Sequence, residues 1–143
     1  MKSISLKIGL VCATLLAGAF PAVALDGVVV IANKSVPVDS ISAAALKDIY
    51  TGRTMYWQDG QSVVITVLAG DANADTALNE VSGMDASHFK TFWQRMVFSG
   101  RGNQPNKAPD AAALVAFVTS TKGAIALVPA DAELNGVKKL DIK

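Results

Sequence analysis

The chain is poor in the residues that do covalent and metal chemistry. Its 143 residues hold one cysteine, Cys12, and one histidine, His88. A lone cysteine cannot form an internal disulfide, so stability must come from an apolar core. One histidine and one cysteine also leave too few soft ligands for a zinc-type site. No Gly-x-Ser-x-Gly, His-Glu-x-x-His or phosphate-loop pattern is present, and no nucleophile–base pair has a defensible spacing, so the sequence does not read as an enzyme and calls for no cofactor. Lysine and arginine (13) nearly balance aspartate and glutamate (12) without a basic run, which leaves no electrostatic footprint for nucleic acid.

Long apolar runs are missing too. The one extended run, Ile8 to Phe20, falls short of the roughly 20 residues that span a bilayer, so stable membrane insertion is not expected. With Lys2 and Lys7 before it and Ala22-Val23-Ala24 after it, residues 1–24 read as a cleaved secretory signal peptide. The expected mature chain, residues 25–143, loses Cys12 and two lysines, its formal charge moves from +1 to −1, and it has the size of one domain in the periplasm.

Apolar segments alternate with amphipathic ones along that chain. Gly27–Ala32 is a β-branched run of the kind buried on both faces of a sheet, ended by the turn Asn33–Asp39 with Pro37. Ser40 or Ser42 caps a helix whose inward face is Ala45, Leu46, Ile49 and Tyr50, stopped by Gly52 as a left-handed residue. Val63–Leu68 is a second buried strand, followed by a helix over about Ala74–Val81 that Ser82-Gly83 ends. Asp85 or Ser87 opens the next helix, with Phe89, Phe92, Trp93, Met96 and Val97 as its apolar stripe and His88 on the polar side. Ser99–Pro109 is a loop, Asp110 caps a helix that turns Ala111, Leu114, Val115 and Val118 inward, Ala124–Val128 is a third buried strand, and Val137–Ile142 is a short edge strand. This order predicts one α/β domain with a mostly parallel central sheet flanked by helices.

Three segments carry a family likeness. The first is Leu46-Lys-Asp-Ile-Tyr-Thr-Gly52 running into Trp57-Gln-Asp-Gly60; the second is Trp93 with Phe98, Gly100, Gly102 and Pro105; the third is Lys122-Gly-Ala-Ile-Ala-Leu-Val128. In this order and spacing they resemble the phosphate-binding-protein-like family of bacterial ABC transporter substrate-binding proteins, in particular its short, single-lobe members. The resemblance implies one lobe of a type II periplasmic-binding-protein fold. It also implies a binding role, for phosphate or another small oxyanion, in ABC-type uptake or sensing. One lobe supplies half a cleft, so a transporter, a sensor protein or a dimer mate would complete it.

Such sites place an anion at a strand end followed by a helix N-terminus, whose free N–H groups and dipole suit negative charge. The equivalent segment here is Ala69 to Thr76. Against the family pattern Arg-x-Asp-x-Ser-Gly-Thr it has Ala69 for the arginine, Asp71 retained, Asn73 for serine, Ala74 for glycine and Asp75 for threonine. The candidate ligand positions are Gly70, Asp71, Asn73, Asp75 and Thr76, with Arg53 and Arg101 as replacements for the lost arginine. Two other readings stay open. In one, Asp71, Asn73 and Asp75 are purely helix-capping residues; in the other, their alternation holds a cation, although Glu80 lies too near to complete a calcium loop. A second functional class is also open, a protein-interaction or assembly module with Tyr56, Trp57 and the loop around Arg101 as contacts; the competing reading of the two aromatics is packing against the sheet.

Overall fold

The computed structural model describes residues 25–143, and the expected signal peptide, with Cys12, lies outside them. Six strands and four helices follow in the order β1 (Val28–Ala32), β2 (Ser40–Ile41), α1 (Ala43–Tyr50), β3 (Val64–Leu68), α2 (Ala72–Ser82), α3 (Ala86–Phe98), β4 (Asn106–Ala108), α4 (Ala111–Ser120), β5 (Ala124–Pro129) and β6 (Lys138–Ile142). The strands form one sheet in the order β2-β6-β1-β5-β3-β4.

The sheet is mixed. β3 runs parallel to β4 and β5, and β2 runs parallel to β6, but β1 is antiparallel to both its neighbours, β5 and β6. Three of the five pairings are parallel, as expected of a mostly parallel sheet, and β1 is the exception. A continuous apolar run such as Val28–Ala32 reports burial on both faces, not the direction of the neighbouring strand.

Helices cover both faces, which explains those runs. Along β5, Ile125 and Leu127 pack with α1, α2 and α3, whereas Ala124, Ala126 and Val128 pack with α4. Side chains alternate across a strand, so a strand between two helical layers must be apolar at every position. The layer with α1 to α3 holds the larger cluster, centred on Leu46, Ile49, Tyr50, Leu78, Phe89 and Trp93. Leu114, Val115 and Val118 of α4 form the other.

The helix starts are fixed by side-chain caps. Ser42 Oγ accepts from Ala45 N at 3.1 Å, Asp85 Oδ1 from His88 N at 2.8 Å, and Asp110 Oδ1 from Ala113 N at 2.7 Å. Each satisfies one of the N–H groups that a helix start leaves free. Gly52 ends α1 with φ 72°, and a Cβ there would lie 2.8 Å from Met96 Cε. Two requirements, a left-handed backbone and close approach of α3, thus fall on one glycine. Gly123, before β5, has φ 77°, and a Cβ on it would lie 2.1 Å from the Ser62 carbonyl oxygen.

Four further expectations change. Ala45 is exposed, so α1 buries Leu46, Ile49 and Tyr50 only. Val97 is exposed as well, and only Phe89 and Trp93 of the α3 stripe are fully buried. β6 is covered on its outer side by β2, so it is not an edge strand. The Ser99–Pro109 loop contains β4, a three-residue strand paired to β3. Its sequence, Asn-Lys-Ala, has no strand propensity; the open edge of β3 supplies the hydrogen bonds that make it one.

Candidate functional site

At the C-terminal end of β3 the chain turns through Ala69 and Gly70 into α2, as the site reading expects. Asp71 is the N-cap, with Oδ1 accepting from Ala74 N at 2.8 Å. The helix begins at Ala72, two residues before the expected start, because Asp71 rather than a later polar residue takes the cap. Thr76 Oγ1 donates to the Ala72 carbonyl at 2.9 Å, and Asn73 is exposed on the first turn.

Beside this turn lies a cavity of about 150 Å³ on the α1–α3 side of the sheet. Gly70 and the half-buried Asp75 belong to its wall, and the other expected ligand positions do not. Arg53 and Arg101 are both elsewhere and exposed, and Arg53 Nη1 lies 4.0 Å from Asp48 Oδ1. The structure thus brings together Gly70, Asp71 and Asp75 at one helix start and separates them from both arginines. For the cation reading, Asp71 is occupied as a cap; among the described residues no group of three or more histidines, cysteines, aspartates or glutamates is placed to hold a metal ion.

The rest of the wall contains residues that the sequence did not single out. Lys107 is paired in register with Val67, and neighbours in register share a face of the sheet, so its side chain stands on the cavity side. Lys90, on α3 next to the buried Phe89, supplies a second ammonium, and Gln104 with Pro105 closes the rim. Both lysines are exposed, and among the described residues neither lies within ion-pair distance of a carboxylate. Lys107 was illegible because its strand was, and Lys90 looks like any solvated helix residue.

Deeper in the wall stand Leu78, Phe89, Leu127 and Tyr50. Tyr50 is 0% exposed, its ring centroid lies 6.2 Å from that of Phe89, and its hydroxyl has no hydrogen-bond partner. Burial pushes the phenol well above its ordinary range, which keeps it a neutral donor at any physiological pH. Its spacing in α1 marked Tyr50 as core; nothing in the sequence showed that its polar end would be left over. Thr66, also 0% exposed with an unpartnered hydroxyl, touches this cavity too. Ile65 and Val67 pack on the α1–α3 side whereas Val64 and Leu68 pack on the α4 side, so by alternation the Thr66 hydroxyl turns toward α4. Tyr50 lies on the cavity's own face of the sheet, but its hydroxyl is closed off from solvent.

The family model described as the PBP superfamily domain matches residues 20–142. The chain belongs to the PBP superfamily. Solved structures of similar fold include a putative phosphate ABC transporter substrate-binding protein with bound phosphate from Clostridium perfringens, with TM-score 0.64 and 18% identity over 81% of this chain and 44% of that one. An ABC-type phosphate transport receptor from Vibrio cholerae gives TM-score 0.62 and 13% identity over 81% of this chain and 46% of the receptor. A possible phosphate binding protein from Planctomyces limnophilus gives 0.59 and 13%, over 82% and 41%. No curated protein matches the chain. This PBP superfamily domain is a single α/β lobe that spans less than half the length of these structures, and at such identities the likeness establishes the fold. Among the described residues no helix is long and apolar enough to cross a membrane.

The surface proposed for protein contacts divides. Trp57 is 7% exposed and its Nε1 donates to the Gly123 carbonyl at 2.9 Å, so it holds the turn against β5, while Tyr56 is 65% exposed. His88 is exposed and lies 3.1 Å from Asp85, whose carboxyl the His88 backbone N–H, then the imidazole, holds below its usual range.

Proposed function

We propose that this chain is an exported, periplasmic solute-binding module for a small anion, acting without catalysis in ABC-type uptake or sensing. The observation that carries the reading is the cavity beside the β3–α2 turn, whose wall holds Lys90 and Lys107, neither in an ion pair among the described residues, together with Gly70 at a helix start. The family and the phosphate-related names of the structural neighbours support the class of ligand. Gly70 and Asp75 would face it, Asp71 would position the turn, and Asn73 and Thr76 would stand on the outer side of the same helix start. Arg53 and Arg101 would take part only on a surface where a transporter, a sensor or a dimer mate completes the half-cleft.

The test is thermal unfolding of the purified protein in phosphate, sulfate and chloride at matched ionic strength. A ligand at 100 times its dissociation constant adds about 2.7 kcal/mol of stability. For a domain of this size that is a rise of about 10 °C in Tm. The same small shift with every salt would remove the small-anion reading. A second reading, an assembly module without a small ligand, rests on exposed aromatic surface, Tyr56 and the 93% exposed Phe98. It predicts that crosslinking in the periplasm captures a protein partner and that Phe98→Ser abolishes the capture.

A further inference from the structure

Charge is unevenly placed along the chain. Residues 71–85 hold Asp71, Asp75, Glu80 and Asp85 and no lysine or arginine, whereas residues 86–109 hold Lys90, Arg95, Arg101 and Lys107 and no aspartate or glutamate. Within the basic stretch lies the most exposed large apolar side chain of the described residues, Phe98, at 93%, with the exposed Val97 beside it on the last turn of α3. Phe98 belongs to neither apolar cluster, so the core gives no reason for it. Arg95 precedes Phe98 by three residues and shares its side of the helix. Arg101 follows where the chain folds back, its backbone N–H donating to the Met96 carbonyl at 2.9 Å. Both arginines are exposed, and among the described residues neither lies in an ion pair. The end of α1, which meets Met96 at Gly52, adds little net charge, because Arg53 there lies 4.0 Å from Asp48.

We propose that the end of α3 is a peripheral contact for a bilayer of anionic phospholipid, with Phe98 entering between the lipids and Arg95 and Arg101 on their phosphates. Complementarity of charge selects this occupant: spread negative charge over an apolar interior satisfies two guanidinium groups and a phenyl ring together. Shape favours lipid over a folded partner. Phe98 projects from a helix end, where a rigid protein would need a pocket cut for it, whereas lipids part around a single side chain. The carboxylates do not oppose the contact. Asp75, Glu80 and Asp85 line one open groove at the other end of α3, about 20 Å away by the length of the helix, which is more than two Debye lengths at physiological salt. Each arginine is expected to strengthen attachment about fivefold and the inserted ring about tenfold or more, so the lobe is held reversibly, more weakly than by a single myristoyl chain. This contact does not rest on the small-anion reading.

The test is co-sedimentation with vesicles of phosphatidylcholine, alone or mixed with an equal part of phosphatidylglycerol. It uses residues 25–143, which contain every strand, helix and core cluster described. Binding is expected with the anionic vesicles only and to fall as salt is added. Phe98→Ser is expected to lower the partition about tenfold at an unchanged Tm, Phe98→Trp to retain it, and Arg95→Gln and Arg101→Gln to lower it about fivefold each. Lys139→Gln, which removes an exposed charge on β6, is expected to change it less than twofold. Equal binding to both kinds of vesicle, or to neither, overturns the proposal. So does an undiminished partition of Phe98→Ser, or a loss with Lys139→Gln as large as with Arg101→Gln. Crosslinking to a protein that depends on Phe98, without binding to vesicles, gives the residue to a protein partner and overturns the lipid assignment.

Discussion

Thr66→Val should make the protein more stable. Thr66 lies on β3 between Ala126 of β5 and Asn106 of β4, is 0% exposed, and has a hydroxyl with no partner. A buried hydroxyl left unpaired costs about 1–3 kcal/mol, the solvation it lost without replacement. Valine has the same branched shape, places a methyl where the hydroxyl stood, and suits a strand at least as well. The expected gain is therefore about 1–3 kcal/mol, and at the entropy of unfolding ordinary for such a domain it corresponds to about 4–12 °C in Tm. Thr66→Ser provides the contrast: it keeps the orphaned hydroxyl, removes the methyl, and should lose about 1 kcal/mol. Urea unfolding with an unchanged slope would show that the native state and not the denatured one responded. A valine variant that is no more stable than the wild type would refute the reasoning, because it would mean that water already satisfies the hydroxyl.

Tyr50 makes stability sensitive to alkali. Its folded pKa is raised above the unfolded value near 10, so its contribution is complete below about pH 10 and is lost as the pH rises further. The loss is up to about 1.4 kcal/mol per pH unit, and Tyr50→Phe should flatten that part of a urea-midpoint profile taken between pH 8 and 11. Gly123→Ala should be severely destabilising, by more than about 3 kcal/mol, since it meets both a left-handed backbone and the Ser62 carbonyl oxygen 2.1 Å away; Gly60→Ala, with φ 88° and open space, should cost about 1 kcal/mol. Far-UV circular dichroism against temperature separates the two, and equal costs would show that the steric contact is relieved by a backbone shift.

What could be read from the sequence was whatever rests on local chemistry. The caps at Ser42, Asp85 and Asp110, the glycine stop at Gly52, and the double burial of the strands at Val28 and Ala124 follow from groups a few residues apart or from a single period. What could not be read depends on distant partners. The direction of β1 is set by where β5 and β6 arrive, and β4 exists because β3 offers an edge. The candidate site divides along the same line. Its strand-end turn at Gly70 was legible and Asp71 was one of three possible caps, whereas Lys90, Lys107 and Tyr50 come from three other elements and line one cavity only when the helices close over the sheet.

The two outermost strands of the sheet, β2 with two residues and β4 with three, bear on how such a chain avoids sticking to itself. An exposed strand edge is a template for another chain, and its hazard grows with its length and flatness. Here the long, apolar strands are all interior, and the rims are the short Ser-Ile at one side and Asn-Lys-Ala at the other. A neighbour pairing there gains only a few backbone hydrogen bonds, and at β4 it also meets the charge of Lys107. The ends of the sheet thus act as stops against fibril-like stacking.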